Sequence, residues 1–313
     1  IGDAENYEGT VSRTTQVLSI SQSIENPFKR HYRIHSAEAG WQAESYHYHE
    51  FKLQIEYEIK EIWFTLLWLK REEELALENF RSIKEIYHLI ANKAELGEAR
   101  ALEALKLEVE VMQAENEIAR IRTELQSARE NLNACLGRAL PEDFVLTGKV
   151  SYQPVSRSLE TFLAKAKGSH PGLKRKEKEV EQAENIWHYS RWQRLPDFEL
   201  SAFTAKDLHG QNQGLGVSLN IPLWNIYSGE IARSRRLMEA QQQELTSLEI
   251  AVTTDIKNRY SRLLLAEKTM ELFQRGLLKQ ARESERIARF SYQQGETSLI
   301  DYLDSQRTLL QIQ

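Results

Sequence analysis

The chain carries one series of landmarks twice, and any fold it adopts must accommodate that repetition. A strand-like stretch, VLSISQSI (Val17 to Ile24), is followed by a long helical run with an aromatic cluster at Trp63, a glycine break at Gly97 and a second helix. Further on, GVSLNIPL (Gly216 to Leu223) leads into a similar run through Tyr260, a break at Gly295 and another helix. Ile20 and Leu219, Trp63 and Tyr260, and Gly97 and Gly295 lie 199, 197 and 198 residues apart. Three landmarks holding one offset argue for tandem duplication. Function should then lie in what the duplicated unit builds, more than in one cluster of reactive residues.

Helix dominates by bulk. Between Lys29 and Asn92 there is no proline and only one glycine, Gly40, which is long for an ordinary globular helix and points to coiled-coil-like packing. After Gly97 the pattern sharpens into a heptad seam: Ile118, Ile121, Leu125, Ala128, Leu132 and Cys135 are spaced 3, 4, 3, 4, 3. Cys135 therefore reads as core. Gly97 in ELGEAR and Gly295 in QQGETS each interrupt a long pattern, as a tight turn between helices requires. A helix of about 60 residues reaches roughly 90 Å. A monomer of this size cannot wrap such a rod, so an oligomer is expected.

Composition narrows the function. With 28% charged residues and a net charge of −5, nothing favours nucleic acid. The basic run KRKEK (Lys174 to Lys178) is interrupted by acid and reads as a solvated helix face. One cysteine rules out an intrachain disulfide. The most apolar run, Ile62 to Leu69, is eight residues long, far short of the ~18 of a membrane-spanning helix. The start on IGDAENYEG and the stop in mid-helical pattern at Gln313 suggest an incomplete chain. There is no Gly-rich phosphate loop, nucleophile elbow or Cys/His zinc spacing, so no enzyme, cofactor or metal site is expected.

The strands are the second signal. In LPDFELSAFTA (Leu195 to Ala205), Phe198, Leu200 and Ala202 alternate with Glu199 and Ser201. A polar loop is expected from Lys206 to Gly214, after which Val217, Leu219 and Ile221 alternate with Ser218 and Asn220. In the first repeat Leu18, Ile20 and Ile24 alternate with Ser19, Ser21 and Ser23, and the partner strand of that hairpin would precede Ile1. Such alternation suits a small sheet on a soluble domain and a membrane barrel equally. Two strands per repeat close a barrel only if several chains contribute, since lipid tolerates no open edge.

Taken in order, these segments resemble the TolC family of outer-membrane efflux proteins. HPGLKRKEKEVEQAE (His170 to Glu184) is similar to the family's opening helix of a repeat, and LPDFELSA (Leu195 to Ala202) to its first strand. GVSLNIPLWNIYSGEIARS (Gly216 to Ser234) is similar to the second strand entering the long helix, and FSYQQGETSLIDYLDSQRTLL (Phe290 to Leu310) to the helix-turn-helix tip. SQSIENPFKRHYRIHSAEA (Ser21 to Ala39) resembles the metal-exporting, CzcC-like branch. The resemblance implies a mainly α fold with a β-barrel part. Long helical hairpins from three chains would form an α-barrel tunnel continuous with a 12-stranded outer-membrane β-barrel, four strands per chain with the first missing here. Residues 1–136 would be an incomplete first repeat with its tip near 97, and 137–156 an equatorial connection. Residues 157–313 would be the second repeat, with a β-hairpin at 196–223 and a tip near 295.

The resemblance also implies a function and partners. The chain would be the outer-membrane component of a tripartite efflux system, a passive duct from periplasm to exterior for heavy-metal cations or small toxic compounds. It would form a homotrimer, face outer-membrane lipid, and work with a periplasmic adaptor and an inner-membrane pump. Asp301 and Asp304, at i and i+3, share a helix face and would form rings of carboxylate where the pore narrows. Tyr292 matches a tyrosine that holds the tip closed, and Glu103 stands where an acidic gate partner is often found. Thr297 departs from the basic residue common at that position. Gly97 with Glu98, and Gly295 with Glu296, would meet the adaptor.

Histidines are the remaining cluster. His31 and His35 have the i,i+4 spacing that can bind a divalent metal, whereas His47 and His49 cannot share a helix face. No third ligand is evident, so they read as solvated or interfacial. The alternative function is a soluble helical scaffold or periplasmic adaptor that binds other coiled coils.

Overall fold

A computed structural model describes residues 16–141, 144–148, 152–207, 210–221, 224 and 226–313. In chain order the elements are β1 (Gln16–Ile24), α1 (Pro27–Glu95), α2 (Ala101–Cys135), α3 (Leu159–Ser169), α4 (Pro171–Trp192), β2 (Phe198–Asp207), β3 (Gly210–Leu219), α5 (Ser228–Gln274), α6 (Leu277–Gln294) and α7 (Leu299–Ile312). Two compact units emerge: Ile1–Glu50 with Leu163–Thr254, and Phe51–Phe162 with Asp255–Gln313. Each sequence repeat contributes to both units.

In the first unit the sheet has the order β1-β2-β3, antiparallel throughout. Its register puts Leu18, Ile20 and Ile24 opposite Thr204, Ala202 and Phe198, and these in turn opposite Gln213, Leu215 and Leu219. That face is apolar toward the Ile24, Phe198 and Leu219 end, with Gln22 set among the apolar residues, and turns polar toward Thr204 and Gln213. The other carries Ser19, Ser21, Ser23, Glu199, Ser201 and Ser218 at that end, with Val17, Phe203 and Ala205 toward the other. The apolar face is uncovered, with Leu215 89% exposed. The polar stretch expected as a loop from Lys206 to Gly214 is mostly ladder. Only Leu208 and His209, outside the described residues, separate β2 from β3. Gly214 lies under the ring of Phe203 on the facing strand, where an added Cβ would come within 2.6 Å, and that cover sustains a strand through residues of low β-propensity. Strand β3 ends at Leu219, short of the expected Leu223; Pro222 and Leu223 lie outside the described residues.

Pro27 opens α1, where its fixed φ and missing N–H suit a first turn. Asp197, just before β2, holds that end: its carboxylate accepts from Asn26 N and from the buried Lys29 Nζ, each at 2.9 Å. Small residues bring α1 against α4, since a Cβ at Gly40 would lie 2.8 Å from Gln182 Nε2. Pro171 separates α3 from α4, and His170 Nδ1 caps the new helix by accepting from Leu173 N at 3.3 Å. The KRKEK run is not a merely solvated face. Arg175 reaches Glu50 of α1 at 2.9 Å and Lys176 reaches Gln241 of α5 at 2.8 Å, so part of the run pins helices together.

In the second unit the expected seam of α2 is core: Ile118, Ile121, Ala128 and Leu132 are buried, and Leu125 packs against them. Their partners are Leu66 and Leu69 of α1, with Leu140, Phe144 and Leu146 of the connecting segment closing over one side. Cys135, at the end of the seam, is half-buried; burial and Glu58 push its thiol above its ordinary range. The long helix of the second repeat, expected to run unbroken to Gly295, is interrupted at Gly276, whose φ is +103°. No described helix is long and apolar enough to cross a membrane.

Candidate functional site

The two glycine turns share one backbone device. Gly97 (φ 78°) and Gly295 (φ 77°) adopt the left-handed conformation that ends a helix without strain only for glycine. Glu98 N donates to Lys93 O at 2.8 Å and Gly97 N to Ala94 O at 3.1 Å. Glu296 N donates to Ser291 O at 2.9 Å and Gly295 N to Tyr292 O at 3.0 Å. Carbonyls that the helix ends would orphan are thereby satisfied. Both glycines have open space around the position of a Cβ, and Glu98 and Glu296 stand beside them on the surface.

Behind the turns, four helices close a core of Ile86 and Ile90 (α1), Leu107 (α2), Tyr292 (α6) and Leu299, Tyr302 and Leu303 (α7). The rings of Tyr292 and Tyr302 stack with centroids 5.8 Å apart and planes within 4°. The Tyr292 hydroxyl donates to Glu103 Oε2 at 3.3 Å, joining α6 to the first turn of α2. Burial, reinforced by the Glu103 charge, drives the Tyr292 hydroxyl well above its ordinary value of 10.0. It therefore stays a donor throughout the physiological range.

Tyr302 has no exposed surface, and its hydroxyl makes no well-formed hydrogen bond, although Ser82 stands near enough to favour its ionised form. Burial pushes it up to about 12, with the nearby Glu285 charge adding to the shift. Glu285 is half-buried, and burial raises it against the opposing pull of Arg289. Arg289 in turn reaches Glu85 of α1 at 3.1 Å.

Asp301 and Asp304 lie together on the exposed face of α7, opposite the buried Leu299, Tyr302, Leu303 and Gln306. Their surroundings differ. Asp301 Oδ2 accepts from Ser298 N at 3.2 Å and Ser298 Oγ at 2.7 Å, while Asp301 N donates to Ser298 Oγ at 3.3 Å. That is a reciprocal cap, so Asp301 serves its own helix first. The Asp304 carboxylate makes no hydrogen bond or ion pair among the described residues. One turn on, Arg307 bridges to Glu110 of α2 at 2.6 Å.

The structure thus brings Tyr292 and Glu103 together, sets Asp301 and Asp304 on a different, exposed face, and leaves the glycine-glutamate pairs at the turns. Sequence reasoning missed Tyr302, Glu285 and Arg289. The signal for Tyr302 was present: positions 299, 302, 303 and 306 form an apolar-side stripe at helical spacing, offset from the aspartates. Among the described residues no group of three His, Cys, Asp or Glu side chains is placed to hold a metal ion.

The chain resembles known proteins along both repeats. The outer membrane efflux protein family model matches residues 3–138 and 162–313, leaving the connection between the repeats unmatched. The cobalt-zinc-cadmium resistance protein CzcC of Cupriavidus metallidurans is 23% identical over 302 residues, which cover 96% of this chain and 72% of that one. The outer-membrane channel OprN superposes with a TM-score of 0.77 at 14% identity, covering 96% of this chain and 76% of its own. CusC does so at 0.77 and 16%, covering 99% and 75%, and VceC from Vibrio cholerae at 0.71 and 15%, covering 96% and 81%. With both halves matched in sequence and the fold shared with these channels, the chain belongs to the outer membrane efflux protein family, proteins of the bacterial outer membrane with a large periplasmic part and no enzymatic role.

Proposed function

We propose that three copies of this chain form a passive export duct, the outer-membrane component of a tripartite system with a periplasmic adaptor and an inner-membrane pump. The mainly apolar, uncovered face of the β1-β2-β3 sheet around Ile20, Ala202 and Leu215 supports a lipid-facing barrel wall over a soluble scaffold, and the serines opposite suit a wet lumen. Three chains remove the open edges that lipid forbids. The turns at Gly97–Glu98 and Gly295–Glu296 are the surfaces offered to the adaptor. Likeness to a cobalt-zinc-cadmium resistance protein favours divalent metal cations as cargo.

The observation that carries the gate is a combination within one four-helix core: two exposed carboxylates on the outer face of α7, and a part-buried tyrosine-glutamate hydrogen bond that ties α6 to α2. In the closed trimer Asp301 and Asp304 form stacked acidic rings that attract cations, and the Tyr292–Glu103 bond holds the helix pairs together. Adaptor engagement at the turns separates those pairs. Single-channel recording in a planar bilayer tests this with wild type against Asp301→Asn/Asp304→Asn. At an effective dielectric constant near 20, charges ~4 Å apart interact by about 4 kcal/mol. Losing two carboxylates per chain should therefore weaken block by multivalent cations by about tenfold or more, most visibly at low salt. Unchanged selectivity and block would remove the gate assignment, and no conductance from folded protein would remove the duct.

A further inference from the structure

We propose that His31 and His35, near the start of α1, form an open two-imidazole binding site for a divalent transition-metal ion. Spacing of i,i+4 puts both rings on one helix face, and their centroids are 4.3 Å apart at 68°. Two imidazoles bound to one ion at ~2.1 Å, with an angle of about 90–110° between them, have ring centres about 4.5–5.3 Å apart. A small rotation of either side chain closes that difference, and both residues are exposed and free to make it.

His35 Nδ1 faces Glu38 Oε2 at 3.5 Å. A carboxylate there favours the tautomer with the proton on Nδ1, which leaves the lone pair on Nε2. Glu38 thus orients a ligand without being one, in keeping with the absence of any three-residue metal group among the described residues. The competing positive charge is partly neutralised: Arg33 is held by Glu25 through contacts of 2.8, 3.1 and 3.2 Å. Arg30, next to His31 in sequence, does not share its helix face. Two protein ligands and open remaining positions describe a weak, fast-exchanging site that suits imidazole-preferring ions such as Cu²⁺, Ni²⁺ or Zn²⁺.

His47 supplies an internal control. It has the same kind of carboxylate neighbour, Glu44 at 3.5 Å, but its nearest histidine in sequence, His49, is at i+2 and on another face.

The test is Cu²⁺ titration of the metal-stripped, detergent-purified protein, followed by electron paramagnetic resonance. The expected result is one ion per chain with a two-nitrogen signature, lost in His31→Asn and in His35→Asn, about tenfold weaker in Glu38→Gln, and unchanged in His47→Asn. Failure of wild type to bind, or retention of that signal in the His31→Asn/His35→Asn double variant, would overturn the site. A Glu38→Gln variant that binds as wild type would overturn the orienting role. The assay reads ion binding and not export, so this site and the duct stand or fall separately.

Discussion

The two helical turns have the same backbone and different chemistry. The two hydrogen bonds from the amides of Gly97 and Glu98 are repeated at Gly295 and Glu296 at the 198-residue offset, and Ala99 N adds a third to Lys93 O at 3.2 Å in the first turn. Past the glycines the copies diverge. Helix α7 begins on Ser298, which caps it reciprocally with Asp301. Helix α2 begins on Arg100, whose side chain makes no cap. Glu103 occupies the position that Asp301 occupies in the other copy. Relieved of capping, it reaches across to Tyr292. One repeat position thus carries an acid that starts a helix as Asp301 in one copy and ties helices together as Glu103 in the other. A duplicated backbone constrains where a carboxylate sits; its neighbours decide what it does.

The largest break in this comparison is at Tyr302, whose counterpart at the same offset is Ala104. Tyr302→Ala makes the second turn resemble the first and leaves a cavity where a fully buried ring stood. The expected loss is about 3–5 kcal/mol, read as faster amide exchange in α6 and α7. Tyr302→Phe removes only a hydroxyl without a well-formed hydrogen bond, and should change stability by less than about 1 kcal/mol in either direction. Unchanged exchange in Tyr302→Ala would mean that the ring does not hold the turn.

The tie between copies comes next. Tyr292→Phe and Glu103→Gln should each loosen α6 from α2, with a coupling in the double-mutant cycle of about 1 kcal/mol, modest because the bond is 3.3 Å long. Rising pH should act the same way. Tyr292 and Tyr302 are both raised in the folded protein, so below their ordinary value of 10.0 each is neutral folded or unfolded. Above it the unfolded chain ionises first, and stability falls, for Tyr302 until about pH 12. Exchange at the turn should therefore accelerate above pH 10, and less steeply in Tyr292→Phe. Equal slopes would assign the loss to other groups.

How much of this was legible in the chain follows the range of the interactions. The α2 seam, the glycine turns and the alternating faces of β1 and β2 rest on neighbours a few residues away, and periodicity reports them. Gly276 was not read as a break because a glycine inside a helical pattern is either tolerated or ends it, and local sequence does not decide between these. The β3 strand from Gly210 to Gly214 was read as loop because nothing in GQNQG favours a strand; β2 supplies the hydrogen bonds, and Phe203 the cover. Asp301 was read only as a pore acid, although Ser298 three residues earlier already spelled a cap. The contact of Tyr292 with Glu103 spans 189 residues, and no spacing rule reaches it. Family resemblance pointed to the pair; the packing of four helices around Tyr302 supplies the physical reason they meet.

The smallest effect is the sharpest test of the comparison. Arg100→Ser gives α2 the cap residue that α7 already has, three positions before an acid. An added serine cap should steady the first turn of α2 by about 0.5–1 kcal/mol. Glu103 is then offered the backbone N–H of residue 100, and capping competes with Tyr292 for one carboxylate. Amide protection should rise in the first turn of α2 and fall around Tyr292, two opposite changes from one substitution. A general stabiliser would raise both. If both rise, Glu103 serves the two roles together, and the division of labour between the copies lies in Ser298 and Arg100 without being enforced by them.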